Sequence, residues 1–176
     1  NVLWIARAET WKRPELFIKL AQALSNESFM MVMPVSDEIL ESRQLAERAM
    51  ATPNIEFIPR VDFNSSQALF EKAMMLVNTS SWEGFPNTFL QAGKSGIPIV
   101  SLDVDPDSFI TDNRCGFVCD GDFSVLRQKV KYFLENERAR KQAGQNCYEY
   151  VRKHHDIMKN IDKWKCLING SVDCRQ

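Results

Sequence analysis

Short apolar runs alternate with helical periods along most of this chain, and that alternation constrains its fold more than any other feature. VLWIA (2–6) reads as a buried strand, and Pro14 suits a first helical turn, with Leu16, Phe17, Leu20, Ala21 and Leu24 on one apolar face. FMMVMPV (29–35) is a second strand, followed by a polar amphipathic segment from about Asp37 to Met50. IEFIP (55–59), a helix around Gln67 to Ala73 and the strand MMLVNTS (74–80) come next. A helix from about Pro86 to Ser95, the strand IPIVSLD (97–103) and the short run GFVC (116–119) follow. The remainder reads helical in three stripes. Leu126, Val130 and Phe133 form one; Ala139, Ala143, Cys147 and Tyr150 a second; Ile157, Ile161, Trp164 and Ile168 a third. Apolar strands separated by helices predict a parallel sheet covered on both faces. The expected fold class is α/β, a doubly wound, Rossmann-like domain with a helical C-terminal tail.

With 176 residues the chain can bury one sizeable core, and residues 1–176 read as a single domain. Because it opens on Asn1, already at a strand, we expect it to be part of a longer protein. The net charge of −1 disfavours a broad nucleic-acid face, which needs a surplus of Lys and Arg. No run approaches the roughly 18 apolar residues of a membrane helix. Five cysteines without a C-x-x-C pair suggest reduced core thiols and a cytoplasmic location.

In doubly wound sheets ligands bind beyond the carboxyl ends of the strands. Arg7 follows the first strand, with Lys12 five positions on; Arg60 follows the third; Glu83 follows the fourth, with the Pro86 helix behind it. Arg7 offers a planar fork for phosphate oxygens and Lys12 a mobile point charge. A helix N-terminus adds free N–H groups and partial positive charge. Together they suit a diphosphate, whereas Glu83 suits a hydroxyl-bearing group such as a sugar. A nucleotide-sugar combines the two.

Other patterns are weaker. Asp103, Asp105 and Asp107 have calcium-loop spacing, but Ser108 and Arg114 stand where Gly and Glu are needed. His154 and His155 fit the cation preference of a helix end better than a metal site. The sequons at Asn26, Asn64, Asn78 and Asn169 read as chance matches. ARAETWK lacks the glycines of a dinucleotide fingerprint.

The segment EGFPNTFLQAGKSGIP, Glu83 to Pro98, resembles the Glu-x7-Glu motif region of the retaining, GT-B-fold group 1 glycosyltransferases. Arg7 and Lys12 match that family's strand-Arg-x4-Lys element, and the likeness continues through CGFVCDGD (115–122) into the final helices. The resemblance implies the donor-binding, C-terminal half of a two-domain enzyme that transfers sugar with retention, for example in polysaccharide biosynthesis. The donor would be a UDP-, GDP- or ADP-sugar. The acceptor, a glycan, a lipid-linked or a small molecule, would be held by an N-terminal domain absent here. That lost half could also place the whole enzyme on the inner membrane face.

By resemblance, Arg7 and Lys12 neutralise the diphosphate, and Asn87 and Thr88 lie near phosphate at the helix start. Glu83 is the catalytic-site carboxylate that contacts sugar hydroxyls. Gly84 and Phe85 shape the turn and bring N–H groups near the sugar, and Arg60 lies near the nucleobase edge. No metal or other cofactor is expected, since the basic cluster can stabilise the leaving group. Gln91 departs from the pattern by replacing the second Glu, which contacts ribose. An amide there should weaken ribose binding by roughly 1–3 kcal/mol. VSLDVDPDSFI departs too, where the family often has a Gly-Gly turn. A weakened nucleotide-sugar-binding module and a GT-B-type nucleotide-sugar epimerase remain alternatives.

Overall fold

The computed structural model describes residues 1–36 and 38–168, apart from the side chains at 63, 64, 159, 162–164, 166 and 167. Six strands form one parallel sheet: β1 (Val2–Ile5), β2 (Phe29–Val32), β3 (Ile55–Ile58), β4 (Met75–Asn78), β5 (Ile99–Ser101) and β6 (Gly116–Val118). Their spatial order is β3-β2-β1-β4-β5-β6. Helices α1 (Pro14–Ala23), α2 (Leu40–Met50), α3 (Phe63–Lys72), α4 (Asn87–Lys94), α5 (Phe109–Asp112), α6 (Phe123–Glu135), α7 (Glu137–His154) and α8 (Ile157–Ile168) connect and flank it. Pro14 stands at the first turn of α1, where its missing N–H costs nothing.

The period-two pleat of the strands divides the core. Val2 and Trp4 of β1 face Phe17, Leu20, Leu45, Leu126 and Phe133 from α1, α2 and α6. Leu3 on the same strand faces the other way, toward Phe70, Phe89, Phe109 and Cys147 from α3, α4, α5 and α7. The sheet is therefore covered on both sides, as the uninterrupted apolar strands require.

Several boundaries differ from the sequence expectation. The strands stop one to three residues short of the carboxyl ends of their apolar runs; beyond β4, the buried Thr79 and Ser80 bond at the sheet edge instead. Helix α3 begins at Phe63, four residues before the periodicity becomes visible, and α4 begins at Asn87 with Pro86 as its cap. Asp37, the proposed start of the second helical segment, lies outside the described residues, and α2 starts at Leu40. The stripes on α6 and α7 pack inward through Leu126, Val130, Phe133, Ala143 and Cys147. The third differs: Ile157, Ile161 and Ile168 on α8 are exposed, and the Trp164 side chain lies outside the described residues. Sequons at Asn64 (side chain) and Asn169 fall outside as well, while Asn78 is buried at the end of β4.

Cys115, Cys119 and Cys147 are buried free thiols; the Cys166 side chain and Cys174 are outside the described residues. Burial pushes the Cys119 thiol up to about 12, so it packs as an inert apolar group. Among the described residues no helix is long and apolar enough to cross a membrane.

Candidate functional site

In the sheet order β3-β2-β1-β4-β5-β6, the chain leaves β1 in one direction and returns to its other side as β4. The connections above the carboxyl ends of these two strands diverge, which opens a crevice between them. A cleft of about 440 Å³ lies there, lined by Ile5 to Arg7 at the end of β1, Asn78 and Ser80 at the end of β4, and Pro86 to Thr88 at the start of α4.

Its floor is assembled by hydrogen bonds between the two strand ends. Thr79 is fully buried, accepts from Trp4 Nε1 at 2.9 Å and donates to the Lys12 carbonyl at 2.6 Å. Arg13, in the left-handed region at φ 48°, donates through Nε to the Thr79 carbonyl at 2.6 Å and through Nη2 to Asp103. One buried threonine and one strained arginine thus fasten the Thr10–Lys12 turn to the end of β4.

That fastening sets Lys12 against Glu83. Lys12 Nζ lies 2.6 Å from Glu83 Oε2, and both side chains are about fifteen per cent exposed or nearly so, at 16% and 14%. Asn78 Nδ2 donates to Glu83 Oε1 at 2.8 Å, while Asn78 Oδ1 accepts from the Ser80 N–H. Burial by itself raises the Glu83 carboxyl, but hydrogen bonds from Lys12, Ser80 and Asn78 outweigh it and hold the group below its ordinary value. Glu83 is accordingly a fixed carboxylate with both oxygens engaged.

Arg7 lines the same cleft but extends into solvent, with a side chain 76% exposed and 3.1 Å from Glu9. Asn87 and Thr88 occupy the first turn of α4, whose leading N–H groups have no partner within their own helix. Gln91, one turn on, lines the cleft and donates from Nε2 to Ser66 Oγ at 3.1 Å.

The structure therefore brings Arg7, Lys12, Glu83, Asn87, Thr88 and Gln91 into one cleft. Gly84 and Phe85 stand outside its lining, and the Phe85 ring turns away to pack on Phe109 and His155 at 5.4 and 5.1 Å. Arg60 is exposed and outside it too, although its neighbour Val61 is part of the wall. Asp103 and Asp105 have other tasks than a cation loop: Asp103 pairs with Arg13, and Asp105 caps α5 by accepting from the Ile110 N–H at 2.7 Å.

Sequence reasoning missed Arg13, Asn78, Thr79, Ser80 and Asp103. The run NTSS at the end of an apolar strand was a usable signal, since polar groups at a buried strand end must find partners. Arg13 and Asp103 gave none, being ninety positions apart.

The family described as "Glycosyl transferases group 1" matches residues 1–150. The poly(glycerol-phosphate) alpha-glucosyltransferase of Bacillus subtilis is 25% identical over 109 residues, covering 60% of this chain and 16% of that protein. The C-terminal domain of a glycosyl transferase group 1 family protein from Francisella tularensis superposes with a TM-score of 0.76 at 19% identity. That match covers 89% of this chain and 86% of the other. A pneumococcal O-GlcNAc transferase, solved with UDP and GlcNAc, gives a TM-score of 0.71 at 19% identity over 98% of this chain and 36% of its own. These structural likenesses carry the fold. The chain spans less than half the length of the curated relatives it matches, from 16% to 47%. With the family matching from the first strand through most of α7, this chain belongs to the group 1 glycosyltransferases.

Proposed function

We propose that this chain is the donor-binding half of a retaining glycosyltransferase that uses a nucleoside-diphosphate sugar. One observation carries the reading: Lys12, Glu83 and the open N-terminus of α4 meet in one cleft at the β1/β4 crossover. A diphosphate there is attracted by Lys12, by the more mobile Arg7 and by the N–H groups at Asn87 and Thr88. Its arrival competes with Glu83 for Lys12. Glu83 is then released toward the sugar hydroxyls, still oriented by Asn78. As the anomeric carbon–oxygen bond breaks, its electron pair passes to the diphosphate, and the fixed positive groups stabilise that charge. The acceptor hydroxyl oxygen takes the vacated position on the same face of the sugar, and its proton passes to the departing diphosphate oxygen. No metal is required in this scheme, because the cationic groups already face the leaving group.

Gln91 would face the ribose. The replacement of a carboxylate by an amide there supports a second reading, a binding module with weakened donor affinity. The acceptor, a glycan, lipid-linked or small molecule, would be held by a part of the protein beyond this chain. The buried thiols suit a reducing, cytoplasmic setting.

Because the pneumococcal neighbour was solved with UDP, uridine diphosphate is the first ligand to test, followed by GDP and ADP. Isothermal titration should show saturable binding of one of them. Lys12→Ala should weaken it by roughly 1.5–3 kcal/mol, the worth of a hydrogen bond to a charged group, and Arg7→Ala by less. Gln91→Glu should strengthen it. A chain that binds none of the three at millimolar concentration in any of these forms would sink the proposal.

A further inference from the structure

Gln91 does not stand in the cleft as a loose side chain. Its Nε2 donates to Ser66 Oγ at 3.1 Å, which joins the middle of α4 to the first turn of α3. Ser66 is 5% exposed, and its own N–H donates to the Asp62 carbonyl at 2.9 Å, so the serine is part of a settled helix start. A second bond links the same two helices, from Gln67 Nε2 to Ser95 Oγ at 2.6 Å. Ser66 and Gln91 line the donor cleft, whereas Gln67 and Ser95 do not.

A primary amide carries an acceptor at one end and donors at the other. Held at Ser66 by its nitrogen, the Gln91 amide keeps its carbonyl oxygen as the acceptor it can offer a ligand. Among the described residues nothing donates to that oxygen. With phosphates at the Asn87 and Thr88 N–H groups, a carbonyl oxygen one turn further along α4 suits a hydroxyl of the same ligand. The ribose of a nucleoside diphosphate carries such hydroxyls beside its phosphates. Order matters as well as polarity. A free glutamine side chain samples many rotamers, and a ligand that must immobilise it gives up part of its binding energy. The bond to Ser66 restricts Gln91 before the ligand arrives.

We propose that Ser66 is a positioning residue, which orients the Gln91 amide so that the donor site prefers a ribose to its deoxy counterparts. The assignment rests on the donor reading above and adds to it the group that makes an amide at position 91 an effective contact.

The test compares UDP, GDP and ADP with their 2′-deoxy and 3′-deoxy forms by isothermal titration of the 176-residue chain and its variants. For a nucleotide that binds, the ribose form should be favoured about fivefold over at least one deoxy form, the worth of a neutral hydrogen bond. Ser66→Ala, which removes a single oxygen, should lower that preference to about twofold or less, and Gln91→Ala should abolish it. The double variant should match Gln91→Ala, since Ser66 acts through the amide. Gln67→Ala cuts the other α3–α4 bond and should keep the full preference. A merely structural role for Ser66 would shift the affinities for ribose and deoxy forms alike. Three results overturn the proposal and leave the donor reading standing: a wild-type chain that does not distinguish the two sugars, a Ser66→Ala chain with undiminished preference, or a Gln67→Ala chain that loses it equally. Absence of binding by all three nucleotides would instead remove the donor reading, and this assignment with it.

Discussion

Glu83 has no spare oxygen: Lys12 holds one and Asn78 the other, in surroundings that leave the side chain 14% exposed. Its carboxyl is held below the ordinary value of 4.5, because hydrogen bonds from Lys12, Ser80 and Asn78 exceed the opposing effect of burial. A carboxyl with a lowered folded value contributes stability that is fully present above its unfolded value. That contribution is lost as pH falls through the folded value. Stability of the wild-type chain should therefore decline below about pH 4.5, the ordinary carboxylate value. Glu83→Gln should reduce that acid slope and also lower stability at pH 7 by about 1–3 kcal/mol, since Lys12 loses its charged partner. Urea midpoints measured across pH would decide, and an acid slope identical in both proteins would remove the pair from the account. Glu83 and Lys12 were legible in the sequence because each lies in the loop that leaves the carboxyl end of an apolar strand. Their contact was not, since a pairing across 71 positions depends on the strand order and on Arg13 holding a left-handed turn.

At the level of elements, the cleft depends on where α4 lies, and α4 is positioned by α7. Two glycines permit their close approach. A β-carbon on Gly93 of α4 would stand 2.4 Å from Val151 Cγ2, and one on Gly144 of α7 would stand 2.0 Å from the Gly96 carbonyl oxygen. The second neighbour is backbone, which cannot rotate away. An interior helical glycine costs up to about 1 kcal/mol relative to alanine, so its presence in α7 needs such a reason. Gly144→Ala gains that propensity but forces the α4–β5 turn to move. The net expectation is a loss of about 1–3 kcal/mol, the usual cost of overpacking, with weaker nucleotide binding because Asn87, Thr88 and Gln91 move with α4. Chemical denaturation of the variant checks the first effect, and a stabilised protein would show that the contact yields freely. The apolar stripe of α7 was readable from Ala143 and Cys147, whereas Gly144 between them carries no periodic signal and is explained only by what lies opposite. Exposed Ile157, Ile161 and Ile168 show the converse limit: helical spacing of apolar residues identified α8 but not a packed partner for it.

At the scale of the molecule, two cores on opposite faces of one sheet are sufficient to fold the chain, but the site opens at a single edge. The cleft is lined from the ends of β1, β2 and β4, from α3 and α4 and from the loops between these elements, all within this chain. Binding of the nucleotide should therefore survive in isolation. Transfer is a different requirement, because two substrates must be brought into reacting distance and water kept away from the broken bond. A cleft on an open sheet edge presents one wall, and the curated relatives have at least twice the length of sequence with which to build another. The expected outcome is that the 176-residue chain, supplied with a labelled nucleotide-sugar that it binds and with saccharide acceptors, forms no glycoside. Slow release of free sugar by hydrolysis is compatible with this, since under the proposed reading Lys12 and the α4 N-terminus would still stabilise the leaving diphosphate while water can enter. Glycoside formed by the purified chain and lost in Glu83→Gln would contradict it, and would mean that the strand edge by itself holds both substrates closely enough to react.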